Sequence, residues 1–217
     1  MGGGERMNMR ELQAALGLSA DGVRGPVTTA EILNAADEGR LTAVARVPAP
    51  VTGADDAPPW ITAGKQVYGL HETRDKAKLA AWLKSDGKTL GDPTALPWCG
   101  DFAETCIKIG LPGEPFPGAV GANPYWARNW ASFGLQCKPC VGAVLVFERG
   151  PTSGHVGFAV GIDPDSFHVL GGNQGDTVSV VRVARSRLLS SRWPATWTGP
   201  QRALPQMSGG VLSLNEF

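Results

Sequence analysis

The residues best suited to chemistry in this sequence surround Cys99, in the segment 96–102. Pro97 has a fixed φ and favours the first turn of a helix. Residues 102–109 carry apolar side chains at helical spacing until Gly110, which predicts a helix with Cys99 in its first turn. Free N–H groups and the positive end of the helix dipole favour the thiolate there, which is the nucleophilic form. Cys99 is therefore a candidate nucleophile.

A thiol nucleophile needs a base, and histidine suits that task near neutral pH. The chain has three histidines, His71, His155 and His168. His155 begins a β-rich run between glycines that would let a substrate backbone approach. His71 lies in a predicted loop, and His168 lies between apolar residues of another β-rich run. We expect His155 to be the base and keep His71 and His168 as alternatives.

The base in turn needs a residue that orients its ring. Asn173 follows two glycines at the end of the next β-rich run, where its side chain would accept the imidazole N–H and select one tautomer. The alternative is that Asn173 and Gly175 only form a hairpin turn. Asp163 and Asp176 are weaker candidates because each is predicted to lie in a solvated turn.

Composition limits the classes of protein to consider. The chain has 217 residues, 42% hydrophobic and 18% charged, which indicates globular domains. Lys+Arg and Asp+Glu number 20 each, so net charge supplies no attraction to nucleic acid or anionic membranes. No apolar run approaches the roughly 20 residues that span a bilayer. The first residues lack a signal-peptide pattern, so we expect a monomer made in a cytoplasm, without membrane insertion.

The remaining cysteines do not predict a metal centre or a disulfide framework. Cys137 and Cys140 form a lone CxxC pair, and zinc would need two more ligands at workable spacing. We favour a structural or incidental role for the pair, with a redox role as the alternative. No cofactor and no metal ion are expected.

Shifts in composition divide the chain into five segments. Residues 46–59 are rich in proline and predict an extended linker. A small helical unit is predicted before it and a catalytic domain after it. The segments are an N-terminal stretch at 1–8, the helical unit at 9–45, the linker at 46–59, the catalytic domain at 60–198 and a partly mobile tail at 199–217.

The catalytic segment changes from helical to β patterns along its length. Helices are predicted at 60–68, 74–84 and 123–130 in addition to the cysteine helix. β-rich runs follow at 142–147, 154–161, 166–170 and 177–183, and the short turns between them favour an antiparallel meander. Helices followed by a sheet indicate an α+β domain.

Together these motifs resemble the CHAP branch of the NlpC-type cysteine peptidases. The resemblance rests on residues 98–102, 142–147, 154–158, 171–174 and 192–194. It implies a papain-like fold, with Cys99 as nucleophile, His155 as base and Asn173 as the orienting residue. It also implies hydrolysis of peptidoglycan, either between N-acetylmuramate and L-alanine or within the peptide. Some relatives bind calcium, but Asp86 and Asp92 are too separated to predict that site here.

The N-terminal unit carries a second resemblance. Asp21-Gly22 followed by Gly25-Pro26-Val27-Thr28 is similar to the peptidoglycan-binding module of many wall hydrolases, in an abbreviated form. The alternative is a helical hairpin that packs on the main domain. With no signal pattern, the resemblances together predict a phage or prophage endolysin that a holin releases to the cell wall.

Further residues are predicted to line a substrate groove near the nucleophile. They are Trp98, Asp101, Tyr125, Trp126, Gly154 and Gln174. The backbone N–H of Cys99, at the helix start, is expected to stabilise the oxyanion. The alternative function is a non-catalytic wall-binding or phage-tail component with the same fold.

Overall fold

The computed structural model of the protein describes residues 57–210 and 212–213. The predicted segments at 1–8 and 9–45, and all but the last residues of the linker at 46–59, lie outside this range. Within it, no helix has both the length and the apolar character needed to cross a membrane.

The α-helices precede the sheet, as the sequence predicts. They are α1 (Pro59–Gln66), α2 (Lys76–Leu83), α3 (Cys99–Gly110), α4 (Gly118–Ala122) and two 3-10 helices, Ala127–Ser132 and Arg185–Arg187. The helix predicted at 123–130 is instead a turn followed by the first 3-10 helix. The Asn123 side chain accepts the N–H of Tyr125, and this local bond holds the chain out of a helix.

The strands form one antiparallel sheet in the described part of the chain. They are β1 (Leu135–Gln136), β2 (Val144–Glu148), β3 (Gly154–Ile162), β4 (Ser166–Gly171), β5 (Ser179–Ala184) and β6 (Leu188–Trp193). Their order is β1-β6-β2-β3-β4-β5. The predicted meander from β2 to β5 and the α+β class are confirmed.

Two strands were missed by sequence reasoning. Strand β6 returns across the meander to pair with β2, and the two-residue strand β1 pairs with its outer edge. In β6 the apolar Leu189 is exposed while the polar Ser191 is buried. Its sequence therefore lacks the alternation of apolar and polar residues that identifies a half-buried strand.

Helix α3 is the buried centre of the domain. Phe102, Ala103, Cys106 and Ile107 on this helix are fully buried. Helix α1 approaches it closely at Gly64, where an added Cβ would lie 3.0 Å from Phe102 and 3.1 Å from the Cys106 sulfur. The core thus fixes α3 between α1 and the sheet.

The C-terminal segment is tied to the sheet. Gln206 forms a parallel bridge with Ile162, and Leu212 forms one with Arg182. Nearer the sheet, the buried Glu114 carboxylate accepts the N–H groups of Ala195 and Thr196. The tail predicted to be partly mobile is therefore held against the domain over its described residues.

A close contact between α3 and the end of β4 generates a stability prediction. A Cβ on Gly172 would lie 2.5 Å from the Trp98 ring and 2.6 Å from Phe102 Cβ, where rigid buried groups leave no room. We expect Gly172→Ala to lower the free energy of unfolding by about 1–3 kcal/mol, measured by urea denaturation. Gly113→Ala is the matched control, because a Cβ there meets nothing within 4 Å. Equal stability of the two variants would contradict this account of the contact.

Candidate active site

Cys99 lies at the meeting point of α3 and β3. It is the first residue of the helix, and its side chain is only 4% exposed. The Cys99 sulfur accepts backbone N–H groups from Val156 on β3, from Gly100 and from its own residue. Val156 directly follows His155 on β3, so the sulfur lies beside the strand that carries the predicted base.

The electrostatic state of the thiol differs from the sequence-based expectation. Burial raises the pKa of the Cys99 thiol, and this effect exceeds the opposing contributions of the three N–H groups and the Arg149 charge. The N–H groups at the helix N-terminus lower the pKa as predicted, but burial outweighs them, so the net shift disfavours the thiolate. Forming the nucleophile at neutral pH requires a base that removes the thiol proton.

His155 is fully buried near the beginning of β3. Its Nε2 lies 2.9 Å from Oε1 of Gln174. Gly171 makes room for this pair, because an added Cβ would lie 2.7 Å from that oxygen and 3.3 Å from the imidazole Nε2. The absence of a side chain at Gly171 therefore allows the histidine and the glutamine to meet.

The Gln174 amide has a defined orientation. Its Nε2 donates to the backbone oxygens of Val169, at 3.2 Å, and Ser179, at 2.7 Å. The amide oxygen therefore faces His155, and an oxygen can only accept. Nε2 of the neutral imidazole consequently carries the proton, which leaves Nδ1 as the basic nitrogen.

The side chain that bonds His155 Nε2 is thus Gln174, the residue after the predicted Asn173. Asn173 has a φ of 57°, in the left-handed region, and Gly175 follows with a φ of 61°. The Gln174 N–H also bonds the Thr177 oxygen across this turn. The turn that sequence reasoning kept as the alternative for Asn173 and Gly175 is present. The turn reverses the chain and brings the Gln174 side chain against β4.

The other two histidines have different surroundings. His168 is buried with its Nε2 3.1 Å from Asp163 Oδ2, and the same oxygen accepts Arg182 Nε at 2.7 Å. The Arg182 charge and hydrogen bond lower the pKa of the Asp163 carboxyl. His71 accepts the Thr73 N–H at its Nδ1. His168 is therefore part of a polar cluster that joins β4 to β5.

The predicted groove residues separate into buried and accessible positions. Trp98 and Asp101 are each 1% exposed and Gln174 is 4% exposed, so these three are wrong as groove-lining residues. Trp98 Nε1 donates to Glu72 Oε2, and Asp101 accepts from residues 89 and 90. Trp126 is 49% exposed, and the half-buried Tyr125 has its backbone oxygen against Gly100. Tyr125, Trp126 and the half-buried Gly154 stay predicted groove residues.

A buried pair of carboxyl groups on α3 was missed by sequence reasoning. Burial raises the pKa of Asp101 to about 6 and of Glu104 to about 7, and the nearby Asp86 adds to both shifts. Glu104 also lines a cavity of about 290 Å³ together with Lys88, Lys108 and Tyr125. In the described residues, no group of three or more His, Cys, Asp or Glu side chains is arranged to hold a metal ion.

Comparison with known families gives a match to part of the chain. Residues 91–173 match the family model of the CHAP domain. This part of the chain is similar to a CHAP domain. The match includes Cys99 and His155 and ends one residue before Gln174. A CHAP domain indicates a peptidoglycan hydrolase of the amidase or peptidase type. No curated protein and no solved structure gives a significant match to the chain.

The buried Glu104 on helix α3 predicts a pH dependence of stability. Its folded-state pKa of about 7 exceeds the ordinary value of 4.5, so ionisation opposes folding. The stability that comes from burying Glu104 in its neutral form is fully present below about pH 4.5 and is lost as the pH rises through about 7. Glu104→Gln should therefore raise the free energy of unfolding at pH 8 by about 1–3 kcal/mol, with little gain at pH 4. Glu148→Gln, at an exposed carboxylate, is the control. Denaturation that gives the same gain at both pH values would contradict the assignment.

Proposed function

We propose that the protein hydrolyses an amide bond of peptidoglycan with Cys99 as nucleophile, His155 as base and Gln174 as the residue that orients the imidazole. The main support is the 2.9 Å hydrogen bond between His155 Nε2 and the fixed Gln174 amide. It selects the tautomer whose other nitrogen, Nδ1, is free of its proton and able to accept one from a thiol. The pairing is further supported by the hydrogen bond that the Cys99 sulfur accepts from the backbone N–H of Val156, the residue after His155 on β3.

The reaction begins with transfer of the Cys99 proton to His155 Nδ1. The sulfur then attacks the amide carbon, and the backbone N–H of Cys99 at the start of α3 supports the oxyanion. The imidazolium gives its proton to the leaving amine, which frees the first product and leaves an acyl-enzyme. His155 next removes a proton from water, which hydrolyses the thioester and restores the thiol.

The resting state proposed here is a neutral thiol beside a neutral imidazole. Burial raises the pKa of Cys99 and disfavours an isolated thiolate. Proton transfer would accompany attack on the bound amide, when the new negative charge moves from sulfur to the carbonyl oxygen. A residue that fixes the imidazole tautomer is then required, and Gln174 has that position.

The substrate assignment comes from the domain family rather than from the geometry. Both proposed bonds, between muramate and L-alanine and within the peptide, present an acyl carbon to the sulfur. The exposed Trp126 offers an apolar surface beside the helix that carries Cys99. The assignment to a phage lysin and the wall-binding role of the N-terminal unit stay predictions.

Removal of the nucleophile or base tests the mechanism. Cys99→Ala and His155→Ala should each lower the rate of lysis of purified cell-wall sacculi at least about 1,000-fold, because neither remaining residue supplies the missing step. Cys106→Ala on the same helix and His168→Ala should keep most of the activity per folded molecule. Mass spectrometry of the released fragments identifies the bond. Substantial lysis by folded Cys99→Ala protein would refute the mechanism.

The role of Gln174 is tested against its neighbour. Gln174→Ala should reduce kcat/KM about 100-fold by freeing the imidazole to rotate and change tautomer. It should also alter the pH profile, because the base loses its fixed proton on Nε2. Asn173→Gly is the matched control, since glycine accepts the φ of 57° and removes the whole side chain. A larger loss for Asn173→Gly would return the orienting role to Asn173.

A further inference from the structure

Cys137 and Cys140 lie near the sheet edge formed by β1, opposite the edge formed by β5. Cys137 directly follows β1, and Cys140 precedes β2. In the sheet order, strands β6 and β2 separate β1 from β3, the strand that carries His155. The pair therefore belongs to a different region of the domain from the candidate active site.

The backbone holds both cysteines in place. The Cys137 N–H donates to the Ser191 oxygen on β6 at 3.1 Å. The Cys140 oxygen accepts the Ala143 N–H at 2.9 Å, in the turn that enters β2. Between them Pro139 restricts the connecting residues. The four-residue segment is thus fastened to β6 at Cys137 and to the turn before β2 at Cys140, which keeps the two side chains close.

The two thiols contact each other and have unequal surroundings. They are joined by a hydrogen bond, and the Cys137 sulfur also lies 3.4 Å from the Ser191 hydroxyl. The Cys140 thiol, Ser191 and the Arg192 charge lower the pKa of Cys137 to about 7. Cys140 is only 5% exposed, and its neighbour and burial raise the pKa of its thiol. Cys137 is half-buried and therefore the more accessible sulfur.

We propose that Cys137 and Cys140 are a reversible dithiol–disulfide couple that exchanges with small-molecule disulfides. Cys137 is the attacking residue, and Cys140 is the resolving residue. This assignment follows from their mutual contact, the two fastened ends of the segment and the difference in access. It concerns chemistry separate from wall hydrolysis and does not depend on the proposed active site.

The exchange balances with a disulfide of the glutathione type as oxidant. The Cys137 thiolate attacks one sulfur of that disulfide, which forms a mixed disulfide and releases one thiolate that takes up a proton. The Cys140 thiol then loses its proton and attacks the Cys137 sulfur, which releases the second small thiol. Two protein thiols are oxidised to one disulfide, and one small disulfide is reduced to two thiols.

The test uses the full chain, equilibrated at pH 7.5 in buffers with varied ratios of reduced to oxidised glutathione. After an acid quench, all free thiols are alkylated under denaturing conditions and mapped by mass spectrometry. We expect Cys137 and Cys140 to lose alkylation together as the buffer becomes more oxidising, and to regain it on reduction. The fully buried Cys106 should stay alkylated throughout and is the internal control.

Single variants separate the two roles. Cys140→Ser should stop at a stable glutathione adduct on Cys137, whereas Cys137→Ser should leave Cys140 mostly without an adduct. In native protein, the alkylation rate of Cys137 should rise with a midpoint near pH 7, and Cys140→Ser should move that midpoint upward. The wild-type mapping decides the matter if a variant does not fold.

Three results would overturn the proposal. The first is wild-type protein in which both residues stay alkylated in the most oxidising buffer. The second is independent glutathione adducts on the two residues without an internal disulfide. The third is a Cys137→Ser protein whose Cys140 gains an adduct as fast as Cys137 does in Cys140→Ser.

Discussion

The candidate site depends on the close packing of the first turn of α3 against the end of β4. Gly172 makes this contact possible, because any side chain there would overlap Trp98 and Phe102. Gly171, one position earlier, leaves the space in which His155 and Gln174 meet. Two adjacent residues without side chains thus serve two purposes. One brings the cysteine helix to the sheet, and the other admits the polar pair beneath it.

Burial raises the free-energy cost of charge at this site and also strengthens the hydrogen bonds that hold its side chains in place. A thiol and an imidazole shielded from water lose hydration, which disfavours charge on either group alone. The same shielding strengthens the hydrogen bonds that fix Gln174 and the imidazole. The amide is held by two backbone oxygens, so its orientation is set before any substrate binds. The nitrogen of the neutral imidazole that carries the proton is therefore set by the fixed amide oxygen.

The parts of the fold that follow from local pattern were predictable. The segment around Cys99 combines a proline, a helical apolar pattern and a terminal glycine, and the helix lies there. Runs of β-branched residues with short turns identified β2 to β5. Strand β6 was not predictable in this way, because its buried Ser191 is accommodated by its neighbours across the sheet rather than by apolar character.

The fine structure of the site depended on information that the sequence pattern does not contain. In the turn with left-handed φ values at Asn173, Gly175 and Asp176, position 174 faces the histidine, and an asparagine at 173 is compatible with either arrangement. The raised pKa of Glu104 and of Cys99 likewise results from burial by distant segments. Residue type indicated the chemistry of position 99, but only the packed structure determines its protonation state.

The bridges made by Gln206 and Leu212 also bear on how this domain would be combined with other modules. A boundary drawn at residue 198 would remove backbone partners of Ile162 and Arg182, and with them a cover over β3 and β5. For chimeric proteins that borrow this domain, the transplanted unit should run through Ser213, and a new module joined at that side should begin after it.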